Sequence, residues 1–132
     1  MDNLEVFENS FHHFVQAVEV MTLPPQEQCE RMGHFNVAFE IKEDVFAGAY
    51  LTKANGCYLS FAEAAAITGL VESLKEIPSE VLSFTNIKEA SLEKMKHPSW
   101  IPLRIKANNL LLVLTSAKAK NHQYFKDSYN EL

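Results

Sequence analysis

The stretch "PPQEQCERMGHFNVAFEIKEDVFAGAYL", residues 24–51, decides how this chain folds. Two prolines open it, and none interrupts the apolar pattern that follows, which predicts one long helix over about residues 25–51. At about 100° per residue, the apolar side chains of such a helix fall on two separate arcs. One arc holds Met32, Phe35, Phe39, Phe46 and Tyr50, and the other holds Val37, Ala38, Ile41, Val45 and Ala49. A helix with two apolar arcs is predicted to lie between two neighbours.

The third side of this predicted helix is polar and carries Glu40, Glu43 and Asp44, which we expect to face solvent. Two glycines interrupt the pattern, and each costs a helix about 1 kcal/mol relative to alanine. Gly33 and Gly48 therefore indicate close approach by another helix. A kink near Gly33 that splits the helix is the alternative.

The same periodicity predicts four further helices, one of them short. They cover about residues 3–21, 61–77, 86–96 and 100–128. Ser60 and Glu63 form the S-x-x-E pattern of a capping box, and Asn55-Gly56 forms a turn before it. The expected fold is all-α, an up-down helical bundle of four long helices plus one short helix, in a single domain over residues 1–132.

The last predicted helix has a second, smaller apolar arc formed by Ile101, Ile105 and Leu112. This arc needs a cover if it is to leave water. The short predicted helix over about residues 86–96 could provide the cover, and so could a second copy of the chain. The sequence leaves both arrangements open, and the second of them predicts a homodimer.

The charges are distributed unevenly along the chain. The 132 residues carry a net charge of −5, which argues against general nucleic-acid binding. Residues 1–50 hold nine acidic and two basic side chains, whereas residues 86–126 hold two acidic and eight basic ones. Either the two halves pack together and neutralise one another, or they present an acidic and a basic patch to a partner.

The N-terminal sequence "MDNLEVFENS" has neither the basic region nor the apolar run of a signal peptide. The longest apolar run, "LLLVL" at residues 110–114, is too short to cross a bilayer. We therefore expect a cytoplasmic protein without membrane contact, in which Cys29 and Cys57 are reduced thiols packed as small core residues.

One face of the first predicted helix is polar and mostly acidic. Its residues are Glu5, Glu8, His12, Gln16 and Glu19. Such a strip either is simply solvated or binds a basic protein partner. Small acidic chains often act by covering a basic protein, as antitoxins and immunity proteins do, so the favoured function is a non-catalytic α-helical binding protein of that kind.

Glu30 and His34 are spaced one helical turn apart on the predicted helix. The carboxylate of such a pair raises the proton affinity of the imidazole and orients it as a base or as a ligand. An ordinary intrahelical ion pair, worth about 0.2–0.5 kcal/mol, is the alternative.

The same stretch contains two E-x-x-E motifs, Glu27-x-x-Glu30 and Glu40-x-x-Glu43. They resemble the paired motifs with which all-α nucleotide pyrophosphohydrolases hold Mg²⁺, and the resemblance implies a metal-dependent enzyme with these four glutamates as ligands. In that family the motifs lie on different, facing helices. Here they share one predicted helix, with Glu30 and Glu40 about 80° apart around it.

No other motif indicates a cofactor, a phosphate loop or a catalytic triad, so the balance of the sequence favours a protein that is not an enzyme.

Overall fold

The computed structural model describes the backbone of residues 3–53 and 58–130, with side chains at 5–53 and 58–115. The described chain forms α-helices joined by short turns and contains no strands, so the predicted all-α class is confirmed. The helices are α1 (Asn3–Met21), α2 (Pro25–Met32), α3 (Val37–Phe46), α4 (Phe61–Ser73), α5 (Ser79–Leu82), α6 (Lys88–Met95) and α7 (Trp100–Asn130). Two 3₁₀ helices, Ala47–Lys53 and Leu74–Glu76, extend α3 and α4. The predictions for Asn55-Gly56 and Cys57 lie outside the described residues.

The prediction of one continuous helix over residues 25–51 is wrong. The helix ends at Met32 because Gly33, His34 and Asn36 have positive φ angles of 87°, 72° and 52°. Left-handed residues cannot continue a right-handed helix. The His34 N–H donates a 2.8 Å hydrogen bond to the Cys29 carbonyl and closes α2. The alternative of a break near Gly33 is therefore the correct one.

The core forms where α1, α3, α4 and α7 meet. α1 and α4 each pack along α7, and α6 packs against α2 and α3. The buried stripes of α1 and α7 supply Phe7, Phe11, Phe14, Val15, Val18, Met21, Trp100, Leu103, Ala107, Leu110 and Leu114. Cys29 is buried beside them as expected, and burial raises the pKa of its thiol.

The start of α4 is fixed by its own sequence. The Glu63 N–H donates to the Ser60 hydroxyl at 3.1 Å, and the Ser60 N–H donates to the Glu63 carboxylate at 2.6 Å. This is the capping box that the S-x-x-E pattern predicts, and it satisfies two amides that the first turn of a helix leaves unpaired.

No described helix has both the length and the apolarity needed to cross a bilayer.

We predicted that neighbouring helices cover both apolar arcs of residues 24–51, but the structure covers only one of them. Val37, Ile41 and Val45 are buried, whereas Phe39 and Phe46 are exposed. The break after α2 leaves α3 as a helix of 10 residues that packs with α1, α5 and α6 through one arc only. The aromatic arc is therefore left on the surface.

Candidate protein-binding surface

An open groove of about 630 Å³ lies between α1 on one side and α2, α3 and the following 3₁₀ helix on the other. His13 and Gln16 line its α1 wall, and Asp44 and Tyr50 line the opposite wall. Apolar groups from Phe14, Ala17, Val20 and Met32 line the space between them. The volume falls within the roughly 300–1,000 Å³ that is usual for ligand pockets.

Gly48 brings the two walls of the groove together. It is buried in the 3₁₀ helix, and a Cβ atom at this position would lie 2.2 Å from Cε1 of Phe14. Only a residue without a side chain allows the backbone to rest on this ring. The contact holds the segment that carries Asp44 and Tyr50 opposite α1.

The groove contains charges of both signs. Arg31 lines its α2 end, and Asp44 and His13 line opposite walls. Partial burial raises the pKa of the Asp44 carboxyl, as does the neighbouring Glu43 carboxylate, while His13 acts in the opposite direction. Among the described side chains, no cation lies within ion-pair distance of the Asp44 carboxylate.

Beside the groove, α3 and the residues around it present an aromatic and acidic surface, which we call the α3 face. Its aromatic residues are Phe35, Phe39, Phe46 and Tyr50, with exposed fractions of 42–72%. Its acidic residues, Glu40, Glu43 and Asp44, are exposed as predicted. The Lys42 ammonium group lies 5.1 Å from the centroid of the Phe46 ring and 3.0 Å from the Glu43 carboxylate. A cation therefore already rests between a ring and a carboxylate on this face.

Comparison with known proteins assigns this chain to no family. No protein-family model, curated protein or solved structure matches the chain.

One of the predicted partner-binding residues of α1, Gln16, lines the groove. Glu5, His12, Gln16 and Glu19 are exposed and Glu8 is half-buried. The groove therefore has Gln16 of the α1 strip on one wall and Asp44 and Tyr50 of the α3 face on the other. The role of the α1 strip in binding a partner stays a prediction.

The break after α2 separates the predicted pair Glu30 and His34. Glu30 lies on α2, but His34 follows the end of the helix with a left-handed backbone. The one-turn spacing on which the pair was predicted is therefore absent. The Glu30 carboxylate accepts a 3.3 Å hydrogen bond from the Gln26 amide instead.

The same break places the two E-x-x-E motifs on different helices, contrary to the prediction. Glu27 and Glu30 lie on α2, while Glu40 and Glu43 lie on α3, and all four are exposed. Among the described residues, no three His, Cys, Asp or Glu side chains are close enough to hold a metal ion together.

Proposed function

We propose that this chain is a small cytoplasmic, non-catalytic α-helical binding protein that covers the basic surface of a protein partner, as immunity proteins and antitoxins do. The exposed aromatic rings of the α3 face, which stand among carboxylates, support this proposal more than any other observation. Exposed apolar patches with a polar rim mark interaction sites, and aromatic side chains are frequent binding hot spots.

Binding would proceed in two stages that use different residues. The acidic excess of residues 1–50 attracts a basic partner over distances of roughly 10 Å, and salt screens this attraction. Phe39, Phe46 and Tyr50 then lose their exposed surface to the partner, which slows dissociation. The carboxylates accordingly control association, and the rings control the lifetime of the complex.

The test begins with capture of the partner by the full chain and measurement of Kd and its salt dependence. We expect a basic partner, and we expect Tyr50→Ala to weaken binding by about thirtyfold or more, because a hot-spot truncation costs at least about 2 kcal/mol. Replacing Glu40 and Glu43 by glutamine should lower the association rate and flatten the salt dependence.

Phe61→Ala is the matched control for the aromatic substitution. Phe61 is 92% exposed on α4, outside the acidic half, so its removal should leave Kd unchanged. A captured partner that is acidic, or a Phe61→Ala variant that loses as much affinity as Tyr50→Ala, would contradict the proposed function.

A structural homodimer is the second candidate, and the outer face of α7 favours it. Ile101, Ile105 and Leu112 remain 55–76% exposed, so α6 does not cover them. Together with the exposed Asn108 and Thr115 they repeat every four and three residues, the spacing of a coiled-coil seam. An asparagine within such a seam pairs with its counterpart and fixes the register of two helices.

Leu112→Glu tests the homodimer. Light scattering of the unmodified chain should give twice the monomer mass without any partner, and the variant should give the monomer mass, because it places two carboxylates in the seam. Thr68→Glu, on the exposed face of α4, should leave the mass unchanged. A monomeric mass for the unmodified chain at high concentration rules out this candidate.

We also propose the up-down order of the bundle. Arg104 Nε donates to the Leu23 carbonyl at 3.2 Å, and Lys106 Nζ donates to the Ser73 hydroxyl at 2.6 Å. Both bonds join the start of α7 to the end of another helix, α1 or α4. Helices that end where a packed neighbour begins run antiparallel to it, which supports the alternating arrangement.

A further inference from the structure

We propose that the groove between α1 and α3 receives one arginine side chain of the basic partner, with Asp44 as its counter-ion. The inference rests on the proposed function and names the anchor that the partner inserts. It follows from three features of the groove: its mixed lining, its carboxylate without an ion pair, and the cation that the α3 face already holds.

The lining matches a long side chain with a charged end. Ala17 and Met32, which are partly exposed, offer apolar surface, while Asp44 and Tyr50 offer a carboxylate and an aromatic ring on one wall. Arginine packs its methylene groups along apolar surface and keeps its guanidinium for polar partners. The planar guanidinium binds a carboxylate through two parallel hydrogen bonds and stacks on aromatic rings, whereas a lysine ammonium acts as a point charge.

The charge distribution leaves Asp44 accessible to an external cation. Its carboxylate lines the groove and is exposed, and the described side chains place no cation within ion-pair distance of it. The adjacent Lys42 is not free to serve, because it contacts Glu43 and Phe46. Lys42 thus shows the arrangement that we expect for the arginine, a cation close to both a ring and a carboxylate. In the groove, Tyr50 would provide the ring and Asp44 the carboxylate.

Arg31 restricts what enters the groove. It lies at the α2 end, and its charge repels a second cation. The groove therefore suits one arginine beside Asp44 and excludes a cluster of cations. Removing the Arg31 charge should accordingly tighten binding of a single cation, and this sign separates our proposal from an anion-binding groove.

A blocked arginine, N-acetylarginine amide, is the probe, and N-acetylcitrulline amide is its neutral control of nearly the same shape. In a titration of the ¹⁵N-labelled chain, the arginine compound should shift the amide signals of Asp44, Ala47 and Tyr50. The citrulline compound should bind about tenfold or more weakly, because it lacks the charge. Asp44→Asn should reduce arginine binding to the citrulline level, and Arg31→Gln should strengthen it.

Equal binding of citrulline, shifts confined to the α1 strip, or weaker binding in Arg31→Gln would overturn the inference. Unchanged signals elsewhere in the Asp44→Asn spectrum establish that this variant stays folded. The partner then separates the two proposals. Capture that survives Asp44→Asn but is lost in Tyr50→Ala contradicts the arginine anchor and leaves the proposed function standing. If the groove binds arginine but the chain captures no basic partner, the arginine site stands and the proposed function is contradicted.

Discussion

Gly48→Ala is expected to lower the free energy of unfolding by about 2–3 kcal/mol, because it overpacks the core. The new Cβ atom would lie 2.2 Å from Cε1 and 2.4 Å from Cδ1 of Phe14, far inside van der Waals contact. The ring is only 2% exposed, so it cannot swing into solvent to relieve the clash. Chemical denaturation monitored by circular dichroism measures the loss as a lower midpoint with an unchanged slope.

Gly69→Ala is the matched control, because the same substitution at this position should raise the free energy of unfolding instead of lowering it. Gly69 is exposed on α4, and a Cβ atom would meet nothing within 4 Å. Alanine should raise the free energy of unfolding by about 0.5–1 kcal/mol, because it reduces the backbone entropy of the unfolded chain. Adding Phe14→Leu to Gly48→Ala should recover part of the loss, since the smaller side chain makes room. Equal effects of the two alanine substitutions would contradict the close contact at Gly48.

Local signals in the sequence were sufficient for the helical class and for the start of α4. The capping box of Ser60 and Glu63 involves residues three apart, so its pattern is visible without a structure. The break after α2 is different. Asn36 does not cap α3 with its side chain; the Val37 N–H instead donates to the Ser91 hydroxyl at 3.3 Å, across 54 positions. Gly33 offered a break only as an alternative, and the contact with α6 that starts α3 leaves no local pattern in the stretch itself.

The candidate surface could be predicted only in part. The acidic excess of residues 1–50 was visible in the sequence, and the helical period grouped Phe39 with Phe46. Periodicity shows which residues share a face but not whether a neighbour covers that face, so both were wrongly expected to be buried. The groove itself depends on the contact of Gly48 with Phe14, which joins two helices far apart in sequence. Gly48 did signal a close approach, although its partner could not be read from the sequence.

Periodicity also does not reveal the buried contact between Gln28 and the end of α1. Gln28 is fully buried, and its amide nitrogen donates hydrogen bonds of 3.2 Å to the carbonyls of Val20 and Met21, the last two residues of α1. No described donor reaches its Oε1 atom. Gln28→Glu keeps the shape but turns a carboxylate toward two carbonyl oxygens. We expect it to lower the free energy of unfolding by about 3–5 kcal/mol at neutral pH, the cost of a buried charge without a partner.

The loss in Gln28→Glu should depend on pH with a definite sign. Burial raises the pKa of the introduced carboxyl in the folded chain, while the unfolded chain titrates in the ordinary range near about pH 4. The deficit relative to the unmodified protein should therefore be smallest below about pH 4 and grow as pH rises toward the folded-state pKa. Gln28→Leu is the control: it loses two hydrogen bonds, at about 1–3 kcal/mol, with no added pH dependence. Denaturation of all three proteins between about pH 4 and pH 7 measures both effects. Equal, pH-independent deficits in the two variants would mean that the Gln28 side chain is in contact with water rather than sealed beneath the end of α1.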